Sequence, residues 1–200
     1  LAETPDPDRW LLEEEDVPES LPHARAITLL VSILTAWIAR TKLDALVAYN
    51  LALRWNPSRP RVGADPDILL MQLEPPEGFE LTSLQLWQPG HHPPRVAVEV
   101  VSINTAEKDY LDAPERYVMT GVHELWIFDP KGFGPAVPDG PYLLQVWRRT
   151  PEGKMDCVYA GDGPAFSEEL GAWLVVTDGR QMLRLADDRE GARLWPTEVE

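Results

Sequence analysis

Residues 93–130, PPRVAVEVVSINTAEKDYLDAPERYVMTGVHELWIFDP, constrain this chain more than any other stretch. They predict a strand, a helix and a second strand, in that order. Residues 95–101 are rich in valine and apolar on both faces except for one acid, Glu99, a pattern that suits a central strand better than a surface one. An ionised carboxylate at such a place needs a partner, because burying it alone is strongly unfavourable. Metal coordination and a salt bridge are the two ready explanations, and the choice between them decides whether the chain is an enzyme.

The helix in this stretch is predicted to begin at Asp112-Ala113-Pro114-Glu115, with an acceptor at the cap, proline in the first turn and an acid three residues on. Gly121 ends it. Residues 124–128 form the next strand, closed by the turn Asp129-Pro130-Lys131-Gly132. Upstream, residues 22–43 predict a long helix with two apolar stripes. Ile27, Leu30, Val31, Leu34 and Ile38 make one, and Leu29, Ile33 and Trp37 the other. Two stripes need two packing partners. The sheet is one; a second copy of the chain is the expected other, so a homodimer follows.

Further strands are expected at 45–55, 68–73, 84–87, 142–148, 154–159, 173–177 and 182–186, the last two closing the sheet. Residues 74–94 read as a long loop around one short strand. Its adjacent His91 and His92 are expected at the surface, since neighbouring imidazoles do not easily converge on one ion. No repeat or linker divides the chain, so residues 21–200 make one α/β domain of the α+β kind, a mixed sheet flanked by helices. Residues 1–20, with Glu13, Glu14, Glu15 and Asp16 in a row, form an acidic segment ahead of it, expected to be solvated.

Composition narrows the function. Eighteen basic and 33 acidic side chains leave a formal charge of -15, which repels nucleic acid on average. A DNA-binding face therefore has to be a local basic island, for which Arg54, Arg59, Arg61 and Arg95 are the candidates. Cys157 is alone, which excludes an internal disulfide and a cysteine zinc site and fits a reducing, cytoplasmic setting. The longest apolar run, 26–39, is shorter than the roughly 18 residues of a membrane span, so no membrane association is expected. No nucleophile motif surrounds Cys157 or the serines, and nothing calls for an organic cofactor.

Asp67 opens the strand at 68–73, and Glu99 lies in another. Two carboxylates brought together by neighbouring strands can hold a hard divalent cation such as Mg²⁺, with water completing its shell. Such an ion activates water and stabilises charge on a phosphate in transfer, and a nearby lysine completes the set. Each acid also has a structural explanation. Asp65 or Asp67 suits the turn before a strand, and Glu99 suits a bridge to lysine or arginine. Asp129 reads as a turn residue and His23 as a helix-entry or pocket histidine.

Pro66-Asp67-Ile68, Val98-Glu99-Val100-Val101-Ser102, Tyr117, Gly121-Val122 and Glu124 to Pro130, with Glu19-Ser20-Leu21-Pro22-His23 before the long helix, resemble the Uma-type restriction endonuclease family. That family is a bacterial branch of the PD-(D/E)XK nuclease superfamily, and the resemblance runs from about residue 20 to 180. It implies a restriction-endonuclease-like mixed sheet flanked by helices. It also implies Asp67 and Glu99 as ligands of Mg²⁺ or Mn²⁺, and DNA as the substrate of phosphodiester hydrolysis by metal-activated water.

The chain departs from the pattern at the lysine. The superfamily places it two residues after the glutamate, where Val101 stands. Members of the family usually carry it on the following helix, four residues before the tyrosine, where this chain has Ala113. Lys108 is the candidate replacement, with Arg116 able to supply charge but not a proton. The alternative is a catalytically impaired nuclease fold that serves as a binding or oligomeric module.

Overall fold

Ser20 begins the long helix by accepting a hydrogen bond from the His23 N–H at 3.4 Å, and Pro22 occupies its first turn, where no N–H is needed. This helix, α1, spans Leu21–Thr41 and ends at Lys42, whose left-handed backbone (φ 53°) turns the chain away. The computed structural model describes residues 20–72, 81–104, 106–135 and 140–200. The acidic segment up to residue 19, with its expected solvated character, and residues 73–80 of the predicted loop lie outside them.

Twelve strands are described: β1 Leu46–Tyr49, β2 Ala52–Arg54, β3 Gly63–Ala64, β4 Ile68–Met71, β5 Ser83–Gln85, β6 Val96–Val100, β7 Glu124–Phe128, β8 Leu144–Arg149, β9 Met155–Gly161, β10 Ala165–Ser167, β11 Ala172–Thr177 and β12 Met182–Ala186. Six form the main sheet in the order β1-β4-β6-β7-β8-β9, antiparallel throughout except for the parallel pair β6 and β7. A parallel pair needs a crossover, and the helical segment between β6 and β7 provides it. This is the mixed sheet flanked by helices that the sequence predicts.

Alternation along the strands gives the main sheet two buried faces. Val96, Val98, Val100, Ile68 and Leu70 face one way and pack with Leu30, Ile33 and Leu34 of α1. Ala97, Leu69, Met71, Leu125 and Ile127 face the other way, toward Tyr117 and Leu53. A strand buried on both sides has no polar face to present, which is why β4 reads Ile-Leu-Leu-Met and β7 reads Glu-Leu-Trp-Ile-Phe.

Two expectations are corrected. Residues 45–55 are not one strand: Asn50, at φ 51°, breaks them into β1, in the main sheet, and β2, in a small sheet of order β3-β2-β5. Residues 173–177 and 182–186 do not close the main sheet but pair with β10 in a third sheet, β10-β11-β12. That third sheet gives the second stripe of α1 a packing partner within the chain. Trp37 of the second α1 stripe stacks on Trp195 at 5.5 Å, and α1 packs on β12, so the second partner of the helix is the chain's own C-terminal region. By length and composition alone α1 also meets the size of a membrane span, which the shorter run 26–39 does not predict. Ala26, Leu30, Ile33 and Leu34 nevertheless lie in the protein core.

The third sheet is tied to the first by a buried acid. Glu124 of β7 accepts hydrogen bonds from the Trp126 indole (3.0 Å), the Ser167 hydroxyl (2.6 Å), the Glu168 N–H (2.8 Å) and Arg148 Nε (3.2 Å). Its charge is buried but fully paired, the condition under which such burial is tolerated.

Candidate active site

The site lies at the carboxyl end of β6, where β4 begins beside it. The last antiparallel pair is Ile68 with Val98, so one step beyond it Asp67 stands opposite Glu99. Both share the parity of Leu69 and Ala97 and therefore the same face of the sheet. Asp67 Oδ2 accepts from the Val100 N–H at 2.6 Å, and His23 Nε2 lies 2.8 Å from the Val100 carbonyl and 3.5 Å from Asp67 Oδ2. A carbonyl only accepts, so His23 carries its proton on Nε2. The first turn of α1 and the first residue before β4 thus both fasten to the backbone of Val100.

Glu99 is 4% exposed and accepts from the Tyr117 hydroxyl at 2.8 Å, the one hydrogen-bond donor to it among the described residues. Burial holds its carboxyl well above the ordinary carboxylate range, and the charges of Asp109 and Asp67 push it further, opposed by Lys108 and by the Tyr117 bond. Tyr117 is itself raised well above the ordinary phenol range, by burial and then by Glu99, so it stays a donor at neutral pH. The salt bridge weighed for Glu99 is absent among the described residues; its partner is a phenol.

The crossover helix differs from expectation at its start. Asp112 is not a cap: its backbone is helical and its side chain makes no capping bond. Helix runs from Ala106 through a π-turn, Lys108–Asp112, into α2, Ala113–Val118. Asp109, Ala113 and Tyr117 are buried at four-residue spacing on its inner side. At the far end Arg149 of β8 donates to the carbonyls of Tyr117 (2.8 Å), Val118 (3.0 Å), Val122 (2.8 Å) and Gly153 (2.7 Å) and so clamps the end of α2.

Of the predicted site residues, Asp67 and Glu99 come together, and Lys108 is half-buried with its charge acting on Glu99. The basic island does not assemble as expected. Arg95 stands at the opposite end of β6, bonded to the Glu169 carboxylate (3.0 Å) and carbonyl (2.7 Å). Arg54 donates to the Pro60 carbonyl, and Arg59 and Arg61 are exposed between β2 and β3. His91 is half-buried, its Nδ1 accepting from the Gln85 N–H, while His92 is exposed. Asp129 is the turn residue expected, receiving the N–H groups of Phe133 and Gly134 and the Tyr110 hydroxyl.

Sequence reasoning gave no role to Asp109. The signal was its spacing: an acid four residues before Ala113 and eight before Tyr117 falls on the helix face that must be buried. Among the described residues no three His, Cys, Asp or Glu side chains stand together as a ready ligand set. Asp67 and Glu99 nonetheless suit a hard cation that keeps several waters. Both are oxygen donors on one face of the sheet, the ligand type such an ion prefers.

Comparison with known proteins finds similarity to a family model and to solved structures. The family model Uma2, described as "Putative restriction endonuclease", matches residues 12–133, more than half of the 200. Among solved structures, the chain is similar to a protein from Anabaena variabilis ATCC 29413 titled a putative nuclease belonging to DUF820. The TM-score is 0.53 and the identity 14%, over 80% of this chain and 81% of that one. No curated protein matches.

Proposed function

Because the chain belongs to the Uma2 family of restriction-endonuclease type, we propose that it is a nuclease that hydrolyses DNA phosphodiester bonds with Mg²⁺ or Mn²⁺ held by Asp67 and Glu99. The observation that carries this reading is the pairing of β4 with β6, which sets Asp67 opposite Glu99 on one face of the sheet. When bound, a divalent cation there supplies water activation and stabilises charge at phosphorus.

The chain's own residues divide the remaining work. Asp67 is held by the Val100 N–H and steadied by His23, so its second oxygen can turn to the ion. Tyr117 fixes the rotamer of Glu99 through one oxygen and leaves the other for coordination. Lys108 would offer a fixed positive charge to the negative charge that develops on the scissile phosphate. Arg61, exposed beyond β2, is a group that can meet a DNA backbone, whereas Arg95 is committed to Glu169.

Ala113, 1% exposed beside Tyr117, favours a second reading: a family member with weakened chemistry that retains binding. Two variants separate the readings. Glu99→Ala and Asp67→Ala are expected to lower metal-dependent nicking of supercoiled plasmid by at least about a hundredfold and to weaken Mn²⁺ binding in calorimetry. Plasmid nicking by Glu99→Ala at the wild-type rate would sink the catalytic reading. Mn²⁺ binding without nicking in the wild type selects the second.

A further inference from the structure

We propose that Pro114 is a positioning residue for Lys108, and that it acts by forcing the π-turn Lys108–Asp112. This rests on the nuclease reading above for the use made of Lys108, though not for the geometry. Pro114 sits inside a helix that runs continuously from Ala106 to Val118. A proline there has no N–H to give the Tyr110 carbonyl four residues back, and its ring collides with that carbonyl in an α-helical ladder. The chain escapes by widening: the Ala113 N–H bonds to the Lys108 carbonyl, five residues earlier.

The widened turn changes which side chain faces the site. At 3.6 residues per turn, five residues of α-helix rotate about 140° past a full turn, so Lys108 would point well away from the face that carries Ala113 and Tyr117. With the five-residue bond closed, Lys108 stands one turn above Ala113, on the side where Tyr117 meets Glu99. The other end cannot rotate to compensate, because Arg149 holds the Tyr117 and Val118 carbonyls. Loss of the extra residue is therefore felt at Lys108. The charge of Lys108 at Glu99 is the independent sign that the turn brings it inward.

The experiment compares Pro114→Ala with the wild-type protein. Lysines are labelled with limiting acetic anhydride and read by mass spectrometry, with Lys42, Lys131 and Lys154 as internal references. Labelling of Lys108 relative to those three is expected to rise several-fold in Pro114→Ala, with thermal stability equal or higher because a helix-interior proline is gone. Plasmid nicking is expected to fall by about a hundredfold in kcat with KM for DNA little changed, as for a misplaced catalytic group. Pro114→Val, which also restores the backbone N–H but stays closer to the volume of the buried ring, carries the same expectation should Pro114→Ala not fold. Lys108 labelling that stays at the wild-type ratio in the folded variant overturns the proposal. Labelling that rises while the wild type shows neither nicking nor Mn²⁺ binding supports the positioning and refutes the nuclease reading instead.

Discussion

At the scale of single residues, Glu99 combines a structural strain with a chemical opportunity. Its folded carboxyl is lifted well above the ordinary glutamate value of 4.5 by burial and by Asp109 and Asp67. The folded protein therefore keeps a proton at pH values where the unfolded chain has lost it. Stability without metal is greatest below that ordinary value and declines as pH rises from it toward the raised one. Glu99→Gln, similar in shape and uncharged, lacks this decline. Thermal unfolding in EDTA from about pH 5 upward is expected to show the variant gaining on the wild type as pH rises, and parallel curves would show an unperturbed carboxyl. Glu99 stood out as a candidate in the sequence because an acid in an apolar strand violates the pattern around it, and Asp67 because it opens a neighbouring apolar strand. Asp109 was not, since it lies among Glu107, Lys108 and Asp112, where an acid looks solvated until the helix phase is known.

At the scale of elements, the crossover helix shows where local signals mislead. Asp112-Ala113-Pro114-Glu115 satisfies every rule for a helix start, and Pro114 does lie in the first turn of α2. What the pattern could not reveal is that helix already exists upstream, because a π-turn that absorbs a proline leaves no separate mark in the letters. The break at Asn50 was equally hidden: a left-handed asparagine inside an alternating stretch moves β2 into another sheet. The end of the helix rests on Arg149. Its four carbonyl partners make Arg149→Met a loss of several charge-assisted hydrogen bonds at once, expected to destabilise the fold by about 2–4 kcal/mol in urea unfolding. A change below about 0.5 kcal/mol would mean the clamp is dispensable.

For the whole molecule, the strand-helix-strand unit and its neighbours were legible, whereas the division into three sheets was not. Periodicity finds strands but carries no information on which of them pair, so β11 and β12 were assigned to the wrong sheet. The Glu124 network explains how the two sheets act as one body: Arg148, Ser167 and Glu168 all reach an acid with no exposed surface. Arg148→Met strands that acid without its countercharge and is expected to cost about 3–5 kcal/mol, measured by chemical denaturation. Loss of Glu124 charge together with Arg148, as Glu124→Gln with Arg148→Met, is expected to recover part of it, and a double variant no better than the single would place the cost elsewhere.

The bond from Asp67 to the Val100 N–H has a consequence for the sheet as well as for chemistry. Strand β4 is apolar at all four positions, so sliding it by one residue against β6 would expose nothing polar to the core and would meet little hydrophobic resistance. The carboxylate at its mouth is the feature that tells one alignment from the next. A residue suited to gripping an ion thus also serves as the stop that keeps its own strand from slipping.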